Sequence, residues 1–133
     1  MSDFRLPVRV YYEDTDAGGV VYHTGYIRFF ERARTEWLRS LGFSQQQLTQ
    51  EAGVLFTVVD LTVRYVKPAR LDDLLDVSAR PHLAGGASMA FEQEIRNAAG
   101  ELLAAAEVRV ACVRAGSLRP CRLPAAIAAR LPQ

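Results

Sequence analysis

Residues 10–37 read VYYEDTDAGGVVYHTGYIRFFERARTEW, and they join a segment with the period of a strand to a segment with the period of a helix. Between the two lies a polar turn with three carboxylates, two glycines and a histidine, which are Glu13, Asp14, Asp16, Gly18, Gly19 and His23. Asp and Gly are common in ordinary turns, so part of this composition is structural. The tyrosine and histidine beside the carboxylates are more than a turn requires, and they indicate a functional site.

After this turn the apolar residues recur at steps of three and four: Tyr26, Phe30, Ala33, Trp37 and Leu41. That spacing predicts an amphipathic helix of about 17 residues with a broad buried face. Gly42 is placed to end it in the left-handed conformation. A short second helix is predicted to start at Ser44 as N-cap, with Gln47 as the partner in a capping box, and to end at Gly53.

The remaining segments alternate with a period of two, which is typical of half-buried strands. Strands are predicted over residues 6–12, 59–65, 75–80, 89–96 and 102–113. A short proline-containing turn, KPAR at 67–70, separates the second from the third, and NAAG at 97–100 is typical of a hairpin. A final helical turn is predicted near Pro124. One long central helix packed on a single antiparallel β-sheet is an α+β architecture, expected as one domain over residues 1–133.

Composition excludes several classes of protein. With 16 basic and 15 acidic residues the net charge is +1, so no nucleic-acid partner is expected. No apolar run approaches the roughly 20 residues of a membrane span, and the N-terminus lacks the apolar region of a signal peptide. We therefore expect a cytoplasmic protein. The spacing of Cys112 and Cys121 fits neither a metal site nor a redox motif, and we expect reduced thiols.

Three metal or phosphate sites can be tested by spacing. A calcium loop counted from Asp14 would need oxygen ligands where Gly18 and Gly25 stand, so an EF-hand is excluded. The AGG segment lacks the Lys and Ser or Thr of a phosphate loop. A magnesium phosphotransferase using Asp14 and Asp16 stays as an alternative, although its chemistry is normally housed in a larger α/β sheet. His23 alone is a weak metal signal, and we expect no metal and no cofactor.

A different chemistry uses the start of the long helix. The first N–H groups of a helix have no intrahelical acceptor and can stabilise an oxyanion. Asp16, a few residues upstream, could act there as a nucleophile or as the base for water. No serine or cysteine with a convincing base partner accompanies it. Such a modest apparatus favours an activated acyl substrate, a thioester rather than an amide.

Two segments also carry a resemblance that extends over essentially the whole chain. VYYEDTDAGGVVYHTGYIRFFERARTEWLRSLG at 10–42 and VRYVKPARLDDLLDV at 63–77 resemble the hotdog-fold acyl-CoA thioesterases of the 4-hydroxybenzoyl-CoA thioesterase type, in particular the Tol-Pal-associated bacterial enzymes. The resemblance implies a hotdog fold with Asp16 as the catalytic carboxylate. It implies that the backbone N–H near His23 polarises the thioester carbonyl and that Tyr22 and His23 shape the site.

The resemblance extends to substrate and partners. It implies substrate contacts at Gly19 and Val20, and Lys67 and Arg70 are candidates for the phosphates of CoA. It also implies a homodimer or tetramer with active sites between subunits, with acyl-CoA as substrate and acyl carrier protein as a further candidate partner. A non-catalytic hotdog module that binds acyl-CoA or acyl carrier protein in an envelope or phospholipid-synthesis complex is the alternative.

Two further features of the matching segments bear on specificity. Glu31, Arg32 and Arg34 form the ERAR of the resemblance, and helical spacing favours a structural role for them. Thr24 and Gly25 follow His23 where relatives often carry a small residue and then Asn or Ser. This departure leaves the preferred acyl chain open.

Overall fold

One long helix and one five-stranded antiparallel sheet make up most of the fold. The structure, a computed structural model, describes residues 3–132. In chain order the elements are β1 (Phe4–Arg9), α1 (His23–Ser40), α2 (Gln45–Ala52), β2 (Val54–Tyr65), β3 (Leu74–Leu83), β4 (Ser88–Arg96), β5 (Leu102–Arg114) and α3 (Ala125–Ala128). Neighbouring strands in the sheet follow the order β1-β3-β4-β5-β2, and each pair is antiparallel. The predicted α+β class is confirmed.

The apolar face of α1 forms the centre of the core. Phe29, Phe30 and Ala33 are fully buried, and the Trp37 ring meets Phe91 of β4 edge to face with centroids 5.3 Å apart. Full burial of one such side chain is worth about 1.5–3 kcal/mol relative to exposure. The helix ends as its sequence predicts, because Leu41 is the C-cap and Gly42 follows with φ +95°.

The caps of α2 also follow from local sequence. The Ser44 side chain accepts a hydrogen bond from the Gln47 N–H at 3.1 Å, and Gly53 ends the helix with φ +68°. Pro124 precedes the single turn of α3. These predicted boundaries are confirmed because each depends on a side chain and backbone groups within a few residues.

The first strand is shorter than predicted at its C-terminal end. Its expected end was residue 12, whereas β1 ends at Arg9 and residues 12–14 form one turn of 3-10 helix. The Asp14 carboxylate causes the change, since its Oδ2 accepts a hydrogen bond from the Tyr11 N–H at 2.8 Å. A side chain that bonds its own backbone competes with the strand ladder.

The segment between β2 and β3 is not the hairpin turn that we expected. The two strands are not neighbours, because β2 pairs with β5 at one edge of the sheet while β3 pairs with β1 and β4. Residues 66–73, named here the crossover segment, connect them. Ala69 at its centre is fully buried, and its N–H donates to the Tyr26 hydroxyl at 2.9 Å. The segment is held by α1 instead of by a strand ladder.

The face of the sheet turned away from α1 is polar. It carries Thr62, Arg64, Arg80, Glu92, Glu94 and Glu107. Along one row of the register, Arg80 lies opposite Glu92, which in turn lies opposite Glu107. The prediction that only one sheet face is strongly apolar is therefore confirmed. None of the helices within residues 3–132 has the length and apolar character needed to cross a bilayer.

The two cysteines are free thiols whose sulfur atoms lie 3.6 Å apart. Cys112 is buried in β5, and Cys121 follows in a segment whose backbone bonds that strand, since the Cys121 N–H donates to the Cys112 carbonyl at 2.9 Å. Burial, with a smaller contribution from the hydrogen bond to Cys121, raises the pKa of Cys112 to about 12. The thiolate of Cys112 is therefore scarce at neutral pH.

The burial and raised pKa of Cys112 predict that the two cysteines are alkylated at different rates. With iodoacetamide at about pH 8, Cys121 should be modified well before Cys112, because the thiolate is the reacting form and the Cys112 pKa is far above that pH. Peptide mass spectrometry over a time course measures the two rates, and the protein unfolded in guanidinium is the control in which the rates should converge. Equal rates in the folded protein would contradict the prediction.

Candidate active site

The acidic turn is a tight loop closed by its own backbone. The Asp16 N–H donates to the Val20 carbonyl at 2.9 Å, and the Gly19 N–H donates to the Asp16 carbonyl at 3.1 Å. Gly19 has φ +79°, a left-handed conformation that a residue with a Cβ adopts only at a cost. Thr15 and Val21 then pair as an antiparallel bridge. The loop therefore holds Asp16 at its tip, directly before the start of α1.

Asp14 and Asp16 have different environments. Asp14 is buried, and its Oδ2 is occupied by the Tyr11 N–H. Asp16 is exposed, and its Oδ1 accepts from the Gly18 N–H at 2.8 Å. Within the described residues the other oxygen of Asp16 accepts no hydrogen bond from protein. Of these two aspartates Asp16 is therefore the one that can reach a ligand, and the two do not form the open pair that the magnesium phosphotransferase hypothesis requires.

The start of α1 presents backbone donors beside this loop. Tyr22 is the N-cap and supplies no side-chain cap, while the Gly25 N–H donates to the Tyr22 carbonyl at 2.8 Å. In the part of the chain that the structure describes, the N–H groups of His23 and Thr24 have no protein acceptor. Two free donors at the positive end of an 18-residue helix can bind an oxygen that carries negative charge.

Gly25 allows this helix end to approach the loop closely. The Tyr22 N–H donates to the Asp14 carbonyl at 3.2 Å, which ties the start of α1 to the acidic turn. A Cβ atom built on Gly25 would lie 2.9 Å from Cγ1 of Val21 and 3.9 Å from the Asp14 carbonyl oxygen. Val21 is itself buried and has a stiff, branched side chain. Packing against Val21 therefore explains why this chain has Gly at position 25, where the resemblance leads one to expect Asn or Ser.

Two tyrosines that the sequence analysis treated as ordinary core or strand residues hold the site together. The Tyr65 hydroxyl at the end of β2 donates to the His23 carbonyl at 2.7 Å, and its ring meets Tyr26 edge to face at 5.2 Å. Burial raises the pKa of both hydroxyls, and for Tyr26 the negative charges of Asp16 and Asp73 add to the effect. A tyrosine whose ring packs against an apolar face usually finds a partner for its hydroxyl, which is the signal that could have identified the buried Tyr26 and the partly exposed Tyr65.

The predicted side chains at positions 22 and 23 lie at the surface of the site. Tyr22 is 49% exposed, His23 is also exposed, and their rings are 4.2 Å apart between centroids. Both side chains are thus accessible from solvent, whereas the N–H of residue 23 is a backbone donor without a protein acceptor in the described part of the chain.

Of the four predicted substrate contacts, three lie together. Val20 and Arg70 form an antiparallel bridge, and the Leu71 N–H donates to the Gly19 carbonyl at 3.4 Å. The Arg70 side chain is exposed beside this bridge. Lys67 differs, because its Nζ donates to the Glu101 carboxylate at 2.5 Å and its backbone N–H bonds to the Leu103 carbonyl. The charge of Lys67 is thus already compensated near the β5 end.

Metal ligands are not grouped in this region. Among residues 3–132 there is no cluster of three or more His, Cys, Asp or Glu side chains that could hold an ion. The chemistry available here consists of one carboxylate, two backbone donors and surface aromatic and basic side chains. That set is suited to attack on an activated carbonyl carbon.

The short distance between Gly25 and the Val21 side chain predicts the effect of adding one methyl group at position 25. Gly25→Ala should displace the start of α1 from the acidic loop and lower both the melting temperature and the activity, although alanine is the better helix former by about 1 kcal/mol. Differential scanning fluorimetry and turnover measure the two effects. Gly86→Ala, at a glycine whose added Cβ would meet nothing within 4 Å, is the matched control. An unchanged Gly25→Ala protein would refute the packing argument.

Comparison with known proteins finds a matching family model and curated relatives that are described as thioesterases or thioester hydrolases. The family model described as the thioesterase-like superfamily matches residues 10–131. The chain is 53% identical over 130 residues to the acyl-CoA thioester hydrolase YbgC of Escherichia coli, covering 98% of this chain and 96% of the relative. It is 51% identical to the acyl-CoA thioesterase YbgC of Haemophilus influenzae, covering 92% and 90%.

Solved structures agree in fold. The structure superposes on a 1,4-dihydroxy-2-naphthoyl-CoA thioesterase from Synechocystis with a TM-score of 0.89 at 26% identity, covering 95% of this chain and 93% of the other. It superposes on a probable thioesterase from Bartonella henselae with a TM-score of 0.86 at 35% identity, covering 92% and 100%. The predicted resemblance is confirmed, and the chain belongs to the thioesterase-like superfamily of hotdog-fold proteins.

Proposed function

We propose that the protein is an acyl-CoA thioesterase that hydrolyses the thioester of an acyl-CoA to a free acid and CoA. The observation that carries the proposal is a loop with a free Asp16 oxygen, tied by the Tyr22 N–H to Asp14 carbonyl bond to a helix start where the His23 and Thr24 N–H groups have no acceptor among the described residues. The relatives named as acyl-CoA thioester hydrolases support the substrate class. Residues 1–133 are proposed to act as a single thioesterase domain, in line with the extent of the family match.

The first part of the mechanism is stabilisation of the carbonyl oxygen. When water or a carboxylate adds to the thioester carbon, the carbonyl oxygen becomes an oxyanion. The N–H groups of His23 and Thr24 are proposed to bond it, because they have no protein acceptor in the described residues and the positive end of α1 favours its charge. Removal of one such donor in other enzymes costs roughly 100-fold or more in kcat.

Asp16 is proposed to start the attack in one of two ways. As a general base it accepts a proton from water while the water oxygen bonds to the carbonyl carbon. As a nucleophile its free oxygen bonds to that carbon and forms an anhydride that water then opens. In both routes the C–S bond breaks, the electron pair leaves on the sulfur of CoA, and the thiolate takes up a proton.

The neighbouring residues are proposed to bind and orient the substrate. Tyr22 and His23 line the entrance, while Gly19 and Val20 bring the loop backbone close to the thioester. Arg70, exposed beside Val20, is the better candidate for a CoA phosphate, because Lys67 is already paired with Glu101. We also propose acyl carrier protein as a second acyl donor, because its phosphopantetheine thioester presents the same reacting atoms.

The edge strand β2 is proposed to pair with its equivalent in a second copy. Among residues 3–132 it pairs with β5 alone, and it exposes Val58, Val59 and Tyr65 along the free edge of the sheet. A strand of 12 residues with an open edge is a ready template for another strand. A two-fold axis through the middle of β2 gives a homodimer, and two such dimers give a tetramer. The cytoplasm is the proposed location, because acyl-CoA is made there.

Replacement of the Asp16 carboxylate by an amide tests the proposed thioesterase mechanism. Asp16→Asn keeps an acceptor for the Gly18 N–H but cannot serve as base or nucleophile, so thiol release from acyl-CoA should fall about 100-fold or more. Glu13→Gln, in the same turn and exposed, is the control that should keep full activity. All assays contain a chelator.

The outcomes separate the rival functions. A wild-type protein that binds acyl-CoA and releases no thiol would favour the non-catalytic binding module. Activity that disappears with the chelator would favour a metal-dependent reaction. An Asp16→Asn protein as active as wild type would remove Asp16 from the mechanism.

The proposed dimer has its own test. Val59→Asp places a charge on the exposed edge of β2, close to the proposed two-fold axis, where two copies of the carboxylate would repel each other. Size-exclusion chromatography with light scattering should show a monomer, and activity should fall if the site lies between subunits. Leu118→Asp, at an exposed apolar residue outside the sheet edge, should leave the assembly intact. A Val59→Asp dimer would contradict this interface.

A further inference from the structure

A second cavity lies between α1 and the first half of β2, separate from the acidic loop. Its volume is about 280 Å³. Its wall combines apolar side chains, among them Trp37 from α1, Phe56 and Val58 from β2, and Phe91 from β4, with polar ones from α1, α2 and β2. Pockets that hold a whole drug-sized ligand usually exceed about 300 Å³, so this one suits part of a ligand, such as an acyl group, and not the nucleotide of CoA.

One cation lines this cavity. Arg34 lines the cavity, and its Nη1 donates to Oε1 of Gln93 at 2.9 Å. Gln93 is 1% exposed, and its amide nitrogen donates to the carbonyls of Phe30 at 3.1 Å and Ser78 at 3.0 Å. The Gln93 amide is therefore fixed between helix and sheet, and it fixes the direction of the guanidinium.

Arg34 has no counter-ion. In the part of the chain that the structure describes, no carboxylate lies within 4 Å of its guanidinium, and only one of its five N–H groups donates to protein. Arg39 on the same helix is paired with Glu36 at the surface. A cation that is partly desolvated and unpaired carries an energetic cost, which an anionic or strongly accepting ligand would offset. Burial accordingly lowers the pKa of Arg34.

Glu31 is the other titratable group of this cavity. It lies one turn before Arg34, and its charge acts to raise the pKa of Arg34, but it is exposed and beyond ion-pair distance. The cavity walls from α2, β2, β4 and β5 carry no titratable side chain among the described residues. The donors of Arg34 that bond no protein acceptor are therefore available to a ligand in this cavity, where Glu31 is the one carboxylate among the lining residues.

The proposed dimer brings this cavity to an active site. The Tyr65 end of β2 bonds the start of α1, whereas Phe56 and Val58 near the Val54 end line the cavity. Antiparallel pairing about the middle of β2 places the Tyr65 end of one copy beside the Val54 end of the other, with strands about 4.8 Å apart. The site of one copy then lies next to the cavity of its partner.

We propose that Arg34 binds the far end of the acyl group that is held in the partner's active site. Acyl groups that end in an oxygen acceptor, a carboxylate above all, are the preferred substrates over methyl-ended groups of the same length. This inference rests on the proposed function and names its substrate class. Arg34 is thus a specificity residue.

The experiment measures a ratio of specificities. The kcat/KM values of dicarboxylic monoacyl-CoAs are compared with those of straight-chain acyl-CoAs of equal carbon number. Wild type should favour the carboxylate-ended member of at least one pair by about tenfold or more, the range for a hydrogen bond to a charged group. Arg34→Met should abolish that preference, mainly through a loss on the carboxylate-ended substrate.

Matched variants separate recognition from folding. Arg34→Lys keeps the charge without the planar fork and should keep part of the preference. Arg32→Met, which removes an exposed guanidinium that lies over the Phe29 ring at 5.7 Å, should keep the wild-type ratio. A smaller folded fraction lowers both kcat/KM values equally, so the ratio is insensitive to lost stability.

Each outcome of the specificity measurements either supports or overturns the role proposed for Arg34. Equal rates for both members of every pair, or an unchanged ratio in Arg34→Met, would overturn the inference while the thioesterase function stands. If no acyl-CoA is hydrolysed, the proposed function fails, and calorimetry with a dicarboxylic monoacyl-CoA decides the inference alone. Tighter binding to wild type than to Arg34→Met supports it, and equal binding overturns it.

Discussion

The two hydrogen bonds of the Ala69 peptide hold the site together. Its N–H donates to the Tyr26 hydroxyl and its carbonyl accepts from the Val21 N–H, each at 2.9 Å, in a position without solvent exposure. These bonds join the crossover segment, the first turn of α1 and the end of the acidic loop. Because a buried peptide group that loses its partners is costly, these two bonds favour the observed packing of the three parts. The loop that carries Asp16 is thereby tied to the start of α1.

Asp14 and Asp16, only two residues apart, have different hydrogen bonding and different exposure. Asp14 uses its carboxylate to turn the chain out of β1, and Asp16 keeps one oxygen free at the tip of the loop. The difference comes from the backbone, since the 3-10 turn points one side chain inward and the tight loop points the other outward. A carboxylate with a structural role and the one that we propose as the reacting group thus lie in a single short segment.

Local features of the chain were predictable, and long-range ones were not. The helix period from Tyr26, the ends at Gly42 and Gly53 and the cap at Ser44 depend on nearby residues, and the sequence predicts them. The order of the strands depends on contacts between residues far apart in the chain. The connection between β2 and β3 is short, and the sequence analysis therefore predicted a hairpin there. The resemblance supplied the hotdog fold that periodicity alone could not.

The sequence predicts the residues of the candidate site, and their roles stay predictions. The structure brings Gly19, Val20 and Arg70 together and ties the acidic loop to the start of α1, whereas Lys67 is paired with Glu101. The roles of Tyr65 and of the bond between Arg34 and Gln93 come from contacts between residues far apart in the chain. No local pattern encodes such contacts, although a tyrosine or arginine at the boundary of a buried face is a signal to seek a partner.

The pairing of β2 with β5 has a consequence for biosynthesis. On the ribosome β2 emerges before β3, β4 and β5, and its partner begins only at Leu102. Until then both edges of a 12-residue strand with exposed valines are unpaired. Non-local pairing of this kind slows folding, and an open edge invites wrong partners. The same strand that is suited to join two finished subunits is thus the segment most in need of protection in the nascent chain.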